Sequence, residues 1–352
     1  MNIELLEIGS PAPVTPKPRS EVEIMGTWTG DKSKPVVSIV CHTFNHVNFL
    51  KDALNGFLMQ ETNFPFEIIL HDDASTDGTT EIVKEYSEKY PSIITPIIQT
   101  ENQWSKGNTP RVFTFPNVNG KYIALCEGDD YWISPKKLQT QIDSFSPSVS
   151  LVFHDAIRIE NSLITALSYY TGGKTPINGY TPFQMARGSK TPTASSVFIS
   201  SPFRGVDQIS VVNGDHLLWA ILASAGSAKF LQEKWSAYRH HAGGVWSARE
   251  LADKVQPALK SKRTIFQVAS PALKTAALVG YCAMSIELLS DTLKNGNTQS
   301  ALAMIRTTVV DFYKMTLKCK FHSGRNIIDY ATAFGILTLK IPILFIKHSI
   351  RT

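Results

Sequence analysis

The run Glu127-Gly-Asp-Asp-Tyr-Trp132 follows directly on the apolar stretch Tyr122-Ile-Ala-Leu-Cys126, so it sets paired carboxylates at the end of a buried strand. In open α/β sheets, ligands gather in the crevice outside the carboxyl ends of the strands. Hard cations such as Mg2+ or Mn2+ are held there by a few carboxylates together with phosphate oxygens of a ligand. Asp129 and Asp130 therefore offer a metal and phosphate clamp, although a polar turn that merely closes a strand would use the same residues.

Two more strand ends repeat the pattern. Phe66-Glu-Ile-Ile-Leu70 is followed by His71-Asp-Asp-Ala-Ser-Thr-Asp-Gly-Thr79, and an amphipathic helix is expected from about Thr80 to Tyr90. Asp73, Ser75, Asp77 and Gly78 imitate the start of a calcium loop, but Lys84 stands where such a loop needs a bidentate Glu. Asp77, just ahead of Gly78, reads as a helix cap. Pro35-Val-Val-Ser-Ile-Val-Cys41 is apolar and β-branched. His42-Thr-Phe-Asn-His46 then leads into Phe49, Leu50, Ala53, Leu54, Phe57 and Leu58 at helical spacing. Strands alternating with helices imply the α/β class, with a Rossmann-like, mostly parallel sheet and right-handed crossovers. Neither a Gly-x-Gly-x-x-Gly turn nor a P-loop follows any strand, so acidic residues and a metal must do what a glycine cradle does elsewhere.

In these blocks, in their order and spacing, the chain over roughly residues 35 to 250 resembles the family 2 glycosyltransferases of the GT-A fold. The resemblance implies a nucleotide-diphospho-sugar donor, of which a UDP-sugar is the expected type, bridged to the acidic pair by Mn2+ or Mg2+. Carried over position by position, it places His42, Thr43 and Asn45 at the nucleoside-contacting turn. Asp73 falls at the base contact, with Asp72 beside it as a further donor-binding residue, and Asp129 and Asp130 at the ribose and metal positions. Asp215, in Val211-Val-Asn-Gly-Asp-His-Leu-Leu-Trp219, precedes an apolar helical run as the family's general base does. A carboxylate there would take the proton of an acceptor hydroxyl in an inverting transfer, and a helix N-terminus favours its ionised form. A plain helix cap would look the same.

Trp235-Ser-Ala-Tyr-Arg-His-His-Ala-Gly-Gly-Val-Trp-Ser247 resembles the family's Tyr-Arg-x-His-x-Gly-Gly segment. Arg239 could fork onto phosphate, Gly243 and Gly244 could form an anion nest, and His241 could ligate the metal or meet the diphosphate. The Gln-x-x-Arg-Trp motif of processive members is absent, which favours single addition. Pro110 and Pro116 break the helix expected between Glu101 and Asn119, so Arg111 and Asn102 are assigned no role. Residues 156 to 190 read as a variable loop suited to acceptor recognition.

Composition sets the remaining frame. The chain of 352 residues is 43% hydrophobic, enough for an α/β core with a further module. The expected division is a flexible N-terminal arm over 1–33, with four prolines between 9 and 20, a GT-A catalytic domain over 34–250 and a helical basic region over 251–352. Four scattered cysteines suggest neither disulfides nor zinc, and Met1-Asn-Ile-Glu lacks the basic start of a signal peptide; both fit a cytoplasmic protein. Residues 252 to 352 carry a net +9 against −4 for the rest. That region either lies on an anionic membrane surface or packs as a bundle with a solvated face. The apolar stretch Gly335 to Ile346, interrupted by Lys340 and Pro342, is too short to span a bilayer. No nucleic-acid recognition motif accompanies the charge. The expected acceptor is a hydroxyl of a bacterial glycan or a lipid-linked glycan. The alternative is a non-catalytic nucleotide-sugar or glycan-binding protein on the same fold.

Overall fold

In the computed structural model, residues 6–170, 175–203, 214–243, 251–296, 298–319, 324–341 and 344 are described. The chain divides into two compact units: Met1–Gly179 with Thr191–Ser210 and Ala228–Ser247, and Tyr180–Lys190 with Val211–Ser227 and Ala248–Thr352. Two segments expected inside the catalytic domain, one of them carrying Asp215, thus group with the C-terminal helices.

The strands are β1 (Val37–Thr43), β2 (Phe66–Asp72), β3 (Ile94–Ile98), β4 (Tyr122–Leu125), β5 (Tyr131–Trp132), β6 (Val149–Glu160), β7 (Leu163–Ala166), β8 (Gly179–Tyr180), β9 (Val197–Ile199) and β10 (Ser227–His240). The sheet runs β3-β2-β1-β4-β9-β6-β10-β5, with β7 beside β6. β1 lies parallel to β2 and β4, and β2 to β3, so the α/β class is realised with the three expected strands adjacent. Beyond β4 the pairing changes: β9 is antiparallel to β4 and β6, β7 to β6, and β5 to β10.

The first unit adds α1 (Glu21–Gly26), α2 (Leu50–Leu58), α3 (Thr79–Lys89), the single-turn α4 (Arg111–Thr114) and α5 (Lys137–Asp143). Leu50, Ala53, Leu54, Phe57 and Leu58 bury one face of α2 against Ile39, Cys41 and Trp132 in a shared core. Gly56 permits that approach, because a Cβ there would lie 2.9 Å from the backbone N and O of Trp132. Between β3 and β4 the chain forms only α4 and short 3-10 turns, as the two prolines require.

Two expectations need correction here. The arm is anchored, not free: Ile24 and Trp28 join the core, Ser20 and Glu23 cap α1 reciprocally, and the Tyr131 hydroxyl donates to Pro13 O at 2.7 Å. Prolines dominated its composition, but the two apolar residues behind them decide its fate. The supposed loop over 156–190 is largely structured. β6 continues to Glu160, turns at Asn161-Ser162 with φ of 49° and 62°, and returns as β7. Two consecutive positive φ angles make the tight hairpin that suits strand twist, here with Ser where Gly is usual. Residues 171–174 of that stretch lie outside the described residues.

Beneath the acidic turn lies a buried cation. Lys137 opens α5 with no solvent exposure, its amine 4.0 Å from the Trp132 ring centroid and donating to Gln141 Oε1 at 2.7 Å. Burial brings its pKa down to about 7.

The second unit is helical: α6 (Pro182–Gly188), α7 (Gly214–Leu222), α8 (Leu251–Val268), α9 (Lys274–Lys294), α10 (Thr298–Thr316) and α11 (Gly324–Gly335). α9 is long and apolar enough to cross a membrane by length and composition, but most of it is buried among α6, α8, α10 and α11. α10 keeps Leu302, Val309, Val310 and Tyr313 exposed, Arg306 and Lys314 run along it, and Leu317 and Lys318 follow it. Ile336–Lys340 form a π-helical turn, and residues 345–352, the end of the apolar stretch, lie outside the described residues. All four cysteines are free thiols.

Candidate active site

Parallel register sets Thr43 beside Asp72 and Val40 beside Leu125, so the turns after β1, β2 and β4 open on one edge of the sheet. Backbone bonds lace the turns together: Gly128 N donates to His42 O at 2.9 Å, and Asp73 N to Thr43 O at 3.1 Å. A side chain at 128 would break this, since its Cβ would stand 2.8 Å from Thr43 Oγ1 and 3.1 Å from His46 Nδ1.

Several expected donor-side residues hold these turns. Asp72 is fully buried and accepts from Ser75 Oγ and Thr80 Oγ1, both at 2.5 Å. Asp73 accepts the amides of Gln103 and Trp104 at 2.8 and 3.0 Å, pinning the segment after β3. Asn45 adopts φ of 54°, donates its amide to Ser75 Oγ and accepts the Thr76 amide on Oδ1. Asp77 acts as the helix-start residue expected of it, accepting the Thr79 amide at 3.0 Å, and it also accepts the Val47 amide. His42 Nε2 lies 3.1 Å from Thr114 Oγ1 and its ring stands edge-on to His71. Burial, helped by His71 and Arg111, holds its pKa well below the usual histidine value. The buried Thr43 Oγ1 has no hydrogen-bond partner among the described residues.

The two adjacent aspartates diverge. Asp129 Oδ2 lies 3.0 Å from His241 Nε2 and 3.6 Å from His46 Nε2. These three residues offer ligand atoms that all lie within 4.8 Å of one another. Burial pushes the Asp129 carboxyl up, but the His241 bond and the charges of His46 and His241 outweigh it, leaving its pKa below the ordinary value. Asp130, also proposed from sequence for the metal, turns inward and is not among the converging atoms. It is 4% exposed, and its Oδ1 accepts the Arg239 amide at 2.8 Å. Burial and the neighbouring Asp129 and Glu127 charges raise its pKa well above the carboxylate range.

Arg239 is fully engaged. Its guanidinium donates to Asp129 O at 2.9 Å and to Asp52 Oδ2 at 2.6 Å, between the rings of Phe49 and Tyr131 at 4.8 and 4.7 Å. It therefore ties β10 to both the acidic turn and α2. Of the glycine pair expected as an anion nest, Gly244 lies outside the described residues. Asp215 sits half-buried in the first turn of α7, in the second unit, and residues 204–213 ahead of it lie outside the described residues. Sequence reasoning missed His46 and Asp52. His46 closes the His42-Thr-Phe-Asn turn without any motif of its own, and Asp52 reads as an ordinary exposed helix residue.

Comparison with known proteins places this geometry. The description "Glycosyl transferase family 2" matches residues 38–200. An uncharacterized protein of Mycobacterium tuberculosis is 33% identical over 221 residues, 60% of each chain, so the match spans about three fifths of that relative. An uncharacterized glycosyltransferase of Nostoc is 28% identical over 213 residues, 58% of this chain and 65% of that one. The crystal structure of S. aureus TarS residues 1–349 with UDP-GlcNAc superposes with a TM-score of 0.53 at 15% identity, covering 85% of this chain and 90% of that one. At that identity the likeness shows the GT-A fold alone.

Proposed function

Because residues 38–200 match the family 2 glycosyltransferases, we propose that the protein is a metal-dependent inverting glycosyltransferase. It would move a sugar from a nucleotide-diphosphate donor, expected to be a UDP-sugar, to a hydroxyl of a glycan or lipid-linked acceptor in bacterial polysaccharide biosynthesis. The observation that carries this reading is the meeting of Asp129 with His241 on the sheet edge where the turns after β1, β2 and β4 open.

The residues present suit a divalent cation, Mn2+ or Mg2+, because a carboxylate oxygen and imidazole nitrogens converge within 4.8 Å of one another. Asp129 and His241 would hold it, and when bound it neutralises charge on the departing diphosphate. His42, Thr43, Asn45, Asp72 and Asp73 shape the nucleoside side of the pocket, the last three by fixing its turns. Arg239 braces the acidic turn from behind, and Asp130 locks Arg239's backbone in place. Asp215 is the proposed base, its carboxylate accepting the acceptor's hydroxyl proton as the oxygen attacks the anomeric carbon opposite the leaving diphosphate.

A cytoplasmic location, peripheral to an anionic membrane surface, fits the +9 C-terminal region and the apolar, basic-flanked α10. A Bacillus subtilis relative whose name assigns it, provisionally, to teichuronic acid biosynthesis supports the polysaccharide setting. The test is a thermal-shift screen of nucleotide sugars with and without Mn2+, followed by product analysis with the stabilising donor. Stabilisation by a nucleotide sugar only with metal, and glycosyl transfer to an added acceptor, are expected. Binding without transfer to any acceptor would instead favour a non-catalytic binding protein.

A further inference from the structure

We infer that His46 is a third metal ligand, and that the resulting set of two imidazoles and one carboxylate makes this site prefer Mn2+ to Mg2+. The inference rests on the proposed metal role of Asp129 and His241, and adds a ligand from a different turn.

The geometry separates His46 from an ordinary hydrogen-bonding residue. Asp129 Oδ2 already has one imidazole partner, His241 Nε2 at 3.0 Å, yet a second imidazole nitrogen faces the same oxygen at 3.6 Å. That distance is too long for a hydrogen bond. It is slightly wider than the spacing of two atoms sharing one ion, since ligands about 2.1 Å from a metal stand about 3.0 to 3.4 Å apart in octahedral or tetrahedral arrangements, so a small inward shift of the ring would bring both onto one centre. The two rings lie 6.1 Å apart and nearly perpendicular, at 84°, so both can point a nitrogen at one centre without stacking.

His46 is also held in this pose. Its backbone amide donates to Thr79 Oγ1 at 2.8 Å and its ring packs edge-on to Phe49. Nδ1 is turned toward Gly128, buried and without a hydrogen-bond partner among the described residues, which leaves Nε2 facing Asp129. The side chains of His46, Asp129 and His241 are 14%, 20% and 18% exposed, so an ion and its remaining waters can reach them.

Donor chemistry sets the preference. Mg2+ favours a regular shell of oxygens and keeps most of its water, whereas imidazole suits first-row transition metals, and Mn2+ also takes carboxylate and phosphate oxygen readily. Each imidazole therefore moves the site away from Mg2+. Because His46 belongs to the turn after β1, loading the ion would also fix the turn that the nucleoside is proposed to contact.

The test uses the full chain with Mn2+, in the presence and absence of UDP. Free Mn2+ is counted by electron paramagnetic resonance, and nitrogen couplings to bound Mn2+ are read by pulsed measurements. Wild type should show two imidazole nitrogens. His46→Gln should show one, and should bind Mn2+ at least about tenfold more weakly, since loss even of an outer-shell partner costs that much. Mg2+ should displace Mn2+ at a lower excess in the variant. If His46→Gln keeps its Mn2+ affinity while Asp129→Asn loses it, or if wild type shows a single nitrogen, His46 is no ligand and the two-residue site stands. If wild type binds no Mn2+ with or without UDP, both readings fall together. The wild-type nitrogen count decides the matter even if the variant misfolds.

Discussion

Replacing Lys137 by Met should change how stability depends on pH. In the folded chain the Lys137 amine is sealed between Trp132 and Gln141, and burial brings its pKa from 10.5 to about 7. The unfolded chain exposes it and restores the ordinary value. Between about pH 7 and 10.5 the unfolded state therefore holds a proton that the folded state lacks, and stability must rise with pH across that window. The Lys137 contribution is fully favourable above the unfolded pKa and is lost as pH falls toward the folded one. A shift of this size corresponds to roughly 3 kcal/mol between pH 7 and pH 10, at 1.36 kcal/mol per unit and with the window cut short at pH 10. Lys137→Met keeps the length of the side chain and removes the charge, leaving Gln141 Oε1 without its donor at a cost of about 1 to 3 kcal/mol that does not vary with pH. Urea unfolding of both proteins at half-unit steps from pH 7 to 10 measures the difference. The wild type should gain on the variant by roughly 3 kcal/mol over the series, other titrating groups cancelling in the comparison. Two stability curves that run parallel would show that the buried amine keeps its ordinary pKa, and that Trp132 and Gln141 solvate it as well as water does.

Three other perturbations probe the site and the surface. Asp129→Asn should lower Mn2+ affinity by at least about tenfold, whereas Asp130→Asn, which preserves the acceptor for the Arg239 amide, should leave it nearly unchanged; equal losses measured by metal titration would mean that both carboxylates face the ion. Asp215→Asn should retain donor affinity and lose roughly 10²-fold or more in turnover, and near-normal turnover beside a lowered Tm in Asp215→Ala would reduce the residue to a helix cap. Replacing Tyr313 and Leu317 by Glu should abolish salt-sensitive sedimentation with anionic vesicles, with little effect on transfer to a soluble acceptor; unchanged sedimentation would clear α10 of any membrane role.

The strand ends were legible because each is a run of β-branched and apolar residues broken abruptly by polar ones, and the family's acidic blocks stand in register behind them. The turns beyond the strand ends are less readable. Asp129 and Asp130 are chemically identical neighbours, and only the arrival of the Arg239 amide turns one inward and leaves the other beside His241. The Arg239 pairing with Asp52 spans 187 positions, a separation no local pattern encodes. The antiparallel half was hidden for a different reason. β6 is buried on both faces, so its side chains lack the alternation that marks a half-exposed strand, and the Asn161-Ser162 turn lacks the usual glycine. The arm over 1–33 was judged by its prolines, although Ile24 and Trp28 had the side chains to anchor it.

The tether from β10 to the acidic turn also has a meaning for the order of events during folding. Arg239 and His241 reach their partners in that turn from 109 to 112 positions further along the chain. A loop of that length closes at a somewhat greater entropic cost than the contacts of the neighbouring parallel strands, which span shorter separations. A polypeptide ending at residue 200 would contain the β1, β2 and β4 turns but lack the strand that lies between β6 and β5, along with the imidazole that meets Asp129. Ion capture would then mark the completion of the first unit, and a pulse of metal during refolding would time the last strand's arrival.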